Sequence, residues 1–247
     1  SFKPSFYSGE MLIADPEGNI VSNNPQSGKM NWKIALEREL SAGIAAGFGK
    51  LVVSDTNGFV IALDSATKEI LWEKNIGGEV LSNAVVNASL VLVKNSVGEL
   101  VALNSSTGEI KWSFRSQLPA LTVRGTGEPI VENGIVFSSF DNGRLAAFQL
   151  DTGFFLWDGP ISFVEGSSEL ENLIDSDSSP VVDGGLIYTT NYQGNLNIFD
   201  TAQKRSVWSY ETSSFYSPIV SSYKIPSIVI NWHLYSYNIN LCIGKVL

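Results

Sequence analysis

One imidazole, one thiol and one closely spaced pair of acids make up most of what this chain offers to chemistry. His233 is the single histidine and Cys242 the single cysteine in 247 residues. General acid–base catalysis is usually done by a positioned His or carboxylate, but His233 stands in an irregular stretch with no recognisable Ser-His-Asp scaffold, and it is expected to face solvent or a neighbouring element. A lone thiol forms no internal disulfide and does not identify a redox compartment. Asp175-x-Asp177, with Ser179 beyond, superficially resembles the start of a calcium loop; the glycine and distal glutamate of that motif are missing from their places. These residues imply no catalytic group, no metal and no cofactor.

Recognition is better served than catalysis. Arg124 follows Leu121 and Val123 at alternate positions, and arginine beside apolar side chains is the composition of an interface anchor. Asp175 and Asp177 could pair with a partner or with Arg124 itself, and exposed pairs of that kind contribute only about 0 to 1 kcal/mol. The competing reading is that both segments are merely long connections, with Arg124 paired internally.

Composition narrows the partners. The net charge is −9 and no Lys/Arg cluster occurs, which argues against DNA or RNA, whose phosphates require clustered cations. Charged residues are 17% and hydrophobic ones 44%, with apolar runs broken every few residues by Gly, Asn, Asp and Ser; this describes a turn-rich β protein and not a disordered chain. The chain opens Ser-Phe-Lys-Pro, without an initiator Met or a basic-then-apolar leader, so it reads as a processed chain or a fragment. Asn231, His233 and Asn238 interrupt even the apolar C-terminal region, so no run reaches the ~20 apolar residues of a membrane-spanning helix.

The elements that must position these residues are set by a repeat. A glycine is followed fourteen residues later by a tryptophan five times: Gly18/Trp32, Gly58/Trp72, Gly98/Trp112, Gly143/Trp157 and Gly194/Trp208. Successive tryptophans are 40, 40, 45 and 51 residues apart, a period that means stacked β-blades or helical pairs. Each unit reads as two apolar strands joined by a tight turn, as in Val181-Val182 and Leu186-Ile187-Tyr188. A second turn carries Asp15, Asp55, Asn95 or Asn191 three residues before its glycine, whereas Asp141 sits two before Gly143; such side chains bond their own backbone while glycine supplies positive φ.

The third strand is apolar on both faces. Two residues after the glycine come Ile20, Val60, Leu100, Leu145 and Leu196, and four after come Ser22, Ala62, Ala102, Ala147 and Ile198. A sheet wetted on one side would alternate apolar and polar, so each sheet is expected to lie between two others. Four antiparallel strands per repeat with both faces covered define an all-β fold of β-propeller blades; helical repeats would need uninterrupted 3.6-residue periodicity. Five full repeats are followed by a degenerate sixth over 217–247, where Asn231-Trp232 takes the place of the turn and its glycine. The whole of 1–247 is read as one propeller domain, truncated at its C-terminus or closing unusually small.

The Ala-Leu-Asn-x-x-Thr-Gly-x-x-x-Trp run from Ala102 to Trp112 resembles the tryptophan-docked repeat of pyrroloquinoline-quinone-type (PQQ-like) propellers. Two linkers narrow the resemblance: Leu118-Pro-Ala-Leu-Thr-Val-Arg-Gly125, running into Glu128-Pro129 and later Asp141-Asn-Gly-Arg144, and Gly166 to Pro180 with Asp175 and Asp177. From about Pro4 to Tyr210 the chain resembles the BamB family, propeller lipoproteins of the Gram-negative outer-membrane β-barrel assembly (BAM) machinery. That resemblance implies an eight-bladed fold and a non-catalytic scaffold on the periplasmic face of the outer membrane. It also implies a lipidated N-terminal cysteine, which this chain does not contain. The implied partners are the POTRA domains of BamA, other BAM subunits and unfolded outer-membrane proteins. By the resemblance, Leu121, Val123, Arg124, Asp175 and Asp177 match the partner-binding loops, with Val123 in place of a more usual leucine. Two other readings share the repeat: a fragment of a quinone-dependent dehydrogenase, though the adjacent cysteine pair of those enzymes is missing, and a ligand-binding or sensor propeller.

Overall fold

The computed structural model describes residues 2–116, 127–161, 178–190, 195–211, 217–221, 227–230 and 233–235. Among them there is no helix, and every strand pairs antiparallel with its sequence neighbour. The first sheet is β1 (Ser5–Tyr7), β2 (Glu10–Ala14), β3 (Asn19–Asn23) and β4 (Met30–Ala35). The second is β5 (Ala45–Gly47), β6 (Lys50–Ser54), β7 (Phe59–Asp64) and β8 (Ile70–Asn75), and the third is β9 (Val85–Val86), β10 (Leu90–Lys94), β11 (Glu99–Asn104) and β12 (Ile110–Arg115). The fourth comprises β13 (Ile130–Glu132), β14 (Ile135–Phe140), β15 (Arg144–Gln149) and β16 (Phe155–Pro160). The fifth comprises β17 (Val181–Asp183), β18 (Leu186–Thr190), β19 (Asn195–Asp200) and β20 (Arg205–Glu211). A three-stranded sheet of β21 (Ile219–Ser221), β22 (Ser227–Ile230) and β23 (His233–Tyr235) follows.

The chain divides into two compact units. One is Ser1–Arg115 with Asp151–Gly153, and the other is Ser116–Leu150 with Phe154–Leu247. Within the first unit β5 lies against both β1 and β9, and within the second β17 lies against both β13 and β21. Sheets of up-and-down strands, stacked face to face with their first strands side by side, are propeller blades.

The register accounts for the fourteen-residue interval. The residue four after each glycine stands directly opposite the tryptophan: Ser22 opposite Trp32, Ala62 opposite Trp72, Ala102 opposite Trp112, Ala147 opposite Trp157 and Ile198 opposite Trp208. Immediately beyond each of these pairs the ladder shifts by one residue, a β-bulge in the fourth strand. In four of the five pairs the side chain opposite is Ser or Ala, which leaves room for the indole on that face; in the fifth it is Ile198.

Apolar cores lie between consecutive sheets. Leu12, Ile20, Leu51 and Ile61 pack between the first and second, and Val52, Val60, Val91 and Val101 between the second and third. Phe137, Leu145, Ile187 and Phe199 do the same between the fourth and fifth. Burial of both faces holds for β6, β7, β10, β11, β14, β15, β18 and β19. The first sheet differs: Leu12, Ala14, Ile20 and Ser22 are buried, while Met11, Ile13 and Val21 on its other face are only half-buried.

Glycine is required at the second turn for closeness as well as φ. Gly18 has φ +90 and a Cβ there would stand 2.3 Å from the Arg38 carbonyl oxygen; Gly58, at φ +82, would meet that of Gly78 at 2.9 Å. In the fourth sheet Phe140 takes the position of Asp15, Asp55 and Asn95, accepting the Gly143 N–H on its carbonyl, and Asn142 caps the turn by accepting the Arg144 N–H on Oδ1 at 3.2 Å.

Candidate functional site

The fourth strand of one sheet leads to the first strand of the next, and within each unit the first strands stand side by side. In the second unit the connections from β12 to β13 and from β16 to β17 are the long ones, and they end at Glu128-Pro129 and Ser179-Pro180. The residue before proline is held extended and away from the helical region, which leaves its N–H directed across to the neighbouring sheet. Glu128 N donates to Ser179 Oγ at 3.0 Å, and Ser179 N donates to Ser217 Oγ at 2.8 Å. The C-terminal roots of the two long connections are therefore joined by one hydrogen bond.

Their N-terminal roots are fixed as well. Ile161 is fully buried and its N–H donates to the Gly143 carbonyl at 2.9 Å, as Leu36 does to Gly18 and Ile76 to Gly58. Asn197, buried on β19, donates from Nδ2 to the Ile161 carbonyl. At the equivalent position in the shorter of the two connections stands Ser116, also buried, whose Oγ accepts from Asn142 Nδ2 at 3.0 Å. Ser178 Oγ accepts the Thr190 N–H at 3.2 Å, tying the end of the second connection to β18. The chain thus fixes both ends of each connection.

The expected contact residues Leu121, Val123, Arg124, Asp175 and Asp177 lie outside the described residues, within 117–126 and 162–177. Of the charged groups quoted with them, Arg144 is paired within its own sheet at the surface: its Nε donates to Asp158 Oδ2 at 2.5 Å, and that bond raises its pKa further above an already basic value. His233 is placed at the start of β23, opposite Ile230. Among the described residues no three His, Cys, Asp or Glu side chains gather as a metal site.

The five tryptophans divide by how they are held. Trp72 and Trp112 are 7% and 9% exposed. Trp72 Nε1 donates to the Ser105 carbonyl at 2.9 Å, and Gly108 lies so close that a Cβ would be 2.6 Å from Cε3. Gly153 stands over Trp112 in the same way, its hypothetical Cβ 2.5 Å from Cγ. Trp157 stacks on Phe199 with ring centroids 4.9 Å apart, and Trp208 on Tyr210 at 6.0 Å. Trp32 is half-buried and bonds its own sheet, donating from Nε1 to Glu10 Oε2 at 3.1 Å. All five tryptophans hold the same register position in their fourth strands, but the repeat does not by itself reveal the hydrogen-bonded serine ladder. Its signal was available as Ser179-Pro180 and Ser217-Pro218, each just ahead of a first strand.

Comparison with known proteins identifies this arrangement. The family model for outer membrane protein assembly factor BamB matches residues 16–226. The BamB of Kangiella koreensis is 47% identical over 213 residues, covering 86% of this chain and 55% of that protein. The BamB of Alkalilimnicola ehrlichii is 54% identical over 206 residues, covering 83% and 54%. This chain spans about half the length of those curated relatives. The crystal structure of BamB from Moraxella catarrhalis superposes with a TM-score of 0.83 at 22% identity, over 96% of this chain and 72% of that one. A quinohemoprotein alcohol dehydrogenase from Comamonas testosteroni reaches 0.65 at 16% identity, over 85% of this chain and 42% of its own, a likeness of fold alone.

Proposed function

We propose a function from one premise, that this chain belongs to the outer membrane protein assembly factor BamB family. The chain serves in assembly of outer-membrane β-barrel proteins as a non-catalytic scaffold of the BAM complex, on the periplasmic face of the outer membrane. A lipid anchor upstream of this sequence would hold it there. Its two long connections dock the POTRA domains of BamA, through Leu121, Val123 and Arg124 on one and Asp175 and Asp177 on the other.

The observation that carries this reading is the bond between Glu128 N and Ser179 Oγ. It brings the ends of two insertions, separate in sequence, to one place on neighbouring sheets. Insertions on a rigid scaffold are where binding residues concentrate, and two loops rooted side by side can present one composite surface. Arginine beside apolar side chains supplies an anchor there, while the acids meet basic groups on the partner.

Titration of purified POTRA domains against the chain tests the proposal. Arg124→Glu is expected to weaken binding by roughly tenfold or more, the scale of an anchor worth above 1 kcal/mol, with thermal stability unchanged. Unaltered binding would remove Arg124 from the site, and no binding by the parent chain would overturn the docking itself.

A further inference from the structure

The junction between the first and second sheets departs from that between the second and third in a way that opens a cleft. At the last position of the turn before the fourth strand, Gly28, Gly108 and Gly153 have φ of +69 to +72 and Lys204 has +56. Lys68 occupies the same position with φ +67. Its ammonium donates to the Ser65 carbonyl and lies 4.4 Å from the centroid of the Trp32 ring. Ser65 is the counterpart of Ser105, whose carbonyl accepts the indole N–H of Trp72. The lysine has taken the acceptor that the tryptophan of the next junction uses.

Trp32 is accordingly turned to Glu10, whose other oxygen, Oε1, accepts from Asn31 Nδ2 at 3.2 Å. A half-open cleft of about 300 Å³ remains between the turn at Ser65 and Lys68 and the first sheet, with Leu12 and Leu51 at its floor and Tyr7 on its wall. Tyr7 is itself fixed, accepting the Gly49 N–H on its hydroxyl at 2.9 Å. Three groups in this cleft favour positive charge: the Ser65 carbonyl, the face of Trp32 and the Glu10 carboxylate. Aromatic faces attract cations within ~6 Å of the ring centroid, and Lys68 supplies that cation from within the chain.

We propose that this cleft is a receptor for an alkyl cation, the ammonium or guanidinium end of a lysine or arginine side chain on a protein partner. Lys68 is its tethered occupant, displaced when the partner's side chain enters. A single long side chain fits the volume, the Trp32 face and apolar floor receive its methylenes, and the Ser65 carbonyl and Glu10 receive its charged end. The proposal stands apart from the docking of POTRA domains, since none of these residues belongs to the two long connections.

Two-dimensional NMR of ¹⁵N-labelled protein tests it, with the Trp32 indole N–H assigned through Trp32→Phe. The probes are N-acetyl-lysine methylamide and N-acetyl-arginine methylamide, with the neutral N-acetyl-norleucine methylamide for comparison. The cationic probes are expected to shift the Trp32 resonance and the neutral one to leave it in place; the stronger cation indicates the partner's residue. Lys68→Gly should raise the affinity at least tenfold, because an untethered probe no longer competes with an internal one. Glycine already holds this position in other repeats, so that variant keeps the turn. Glu10→Gln placed on Lys68→Gly should lower the affinity severalfold. The proposal is overturned if Lys68→Gly shows no response at the highest soluble probe concentration, whether the indole stays put or docks on Ser65 as Trp72 docks on Ser105. An equal response to norleucine would overturn it as well.

Discussion

Gly28 and Gly108 hold the same place in two repeats, with φ +69 and +72, yet a Cβ at Gly28 meets no atom within 4 Å while one at Gly108 would sit 2.6 Å from Cε3 of Trp72. Replacing each by alanine therefore separates two costs that usually arrive together. The left-handed backbone costs an L-residue about 1–2 kcal/mol, and both variants bear it. Gly108→Ala must in addition push the indole from its seat, an overpacking cost of about 1–3 kcal/mol, and in doing so lengthens the Trp72 hydrogen bond to Ser105. The expected losses are thus about 1–2 kcal/mol for Gly28→Ala and about 2–5 kcal/mol for Gly108→Ala. Both positions lie in the first compact unit, so the same unfolding transition reports on both. Urea midpoints with unchanged slopes, followed by tryptophan fluorescence and by circular dichroism, measure the difference directly. Equal losses for the two variants would refute the idea that tryptophan docking under the turn, beyond glycine's φ, fixes this position.

Other outcomes follow from the same contacts. Gly18→Ala, with a Cβ 2.3 Å from the Arg38 carbonyl oxygen, should destabilise more than Gly9→Ala, where nothing lies within 4 Å; thermal melts of the pair check this. Ser179→Ala removes the acceptor of the Glu128 N–H and should cost about 1 kcal/mol, measurable by urea unfolding, with a further loss in POTRA affinity if the two connections act as one surface. The Asp64 carboxylate is held below the ordinary value by the backbone N–H groups of Thr67 and Ala66. Its contribution is therefore complete above the unfolded value near 3.9 and is lost as pH falls through the lower folded one. Asp64→Asn keeps the turn, as Asn104 does in its own repeat, and its melting temperature should lack that acid-side decline when the two proteins are compared between about pH 2 and pH 6.

The blades were legible because their causes are local and repeated. A turn glycine, a residue four positions on that is Ser or Ala in four of the five repeats, and an indole opposite it recur at one interval, and the register matches each pair. Where a contact depends on what the neighbouring repeat supplies, the pattern is silent. Trp32 is spaced like Trp72, yet it turns to Glu10 because Lys68, thirty-six residues away, occupies the carbonyl it would otherwise use. The same holds for Ser179 and Ser217, ordinary loop serines in sequence, which become a ladder only when first strands stand side by side. The half-buried face of the first sheet, with Met11, Ile13 and Val21, was likewise invisible: its residues are apolar like those of its repeats, and burial depends on the neighbour. The loop residues from Leu121 to Asp177 owe their reading to the resemblance more than to any physical necessity of their own.

The bulge beside each tryptophan bears on how such a protein survives in concentrated company. Every fourth strand is a sheet edge carrying apolar side chains in solvent, Met30, Ile70, Ile110 and Phe155 among them, and an edge of that kind is a template on which other chains can polymerise. Asn31, Leu71, Lys111, Leu156 and Val207 are the extra residues of the five bulges, and each breaks the hydrogen-bonding row near its start. No straight strand can then match the edge along its whole length. A kink that seats the indole also protects the edges against fibril growth, so a repeat that lost its bulge would lose solubility even where it kept its fold.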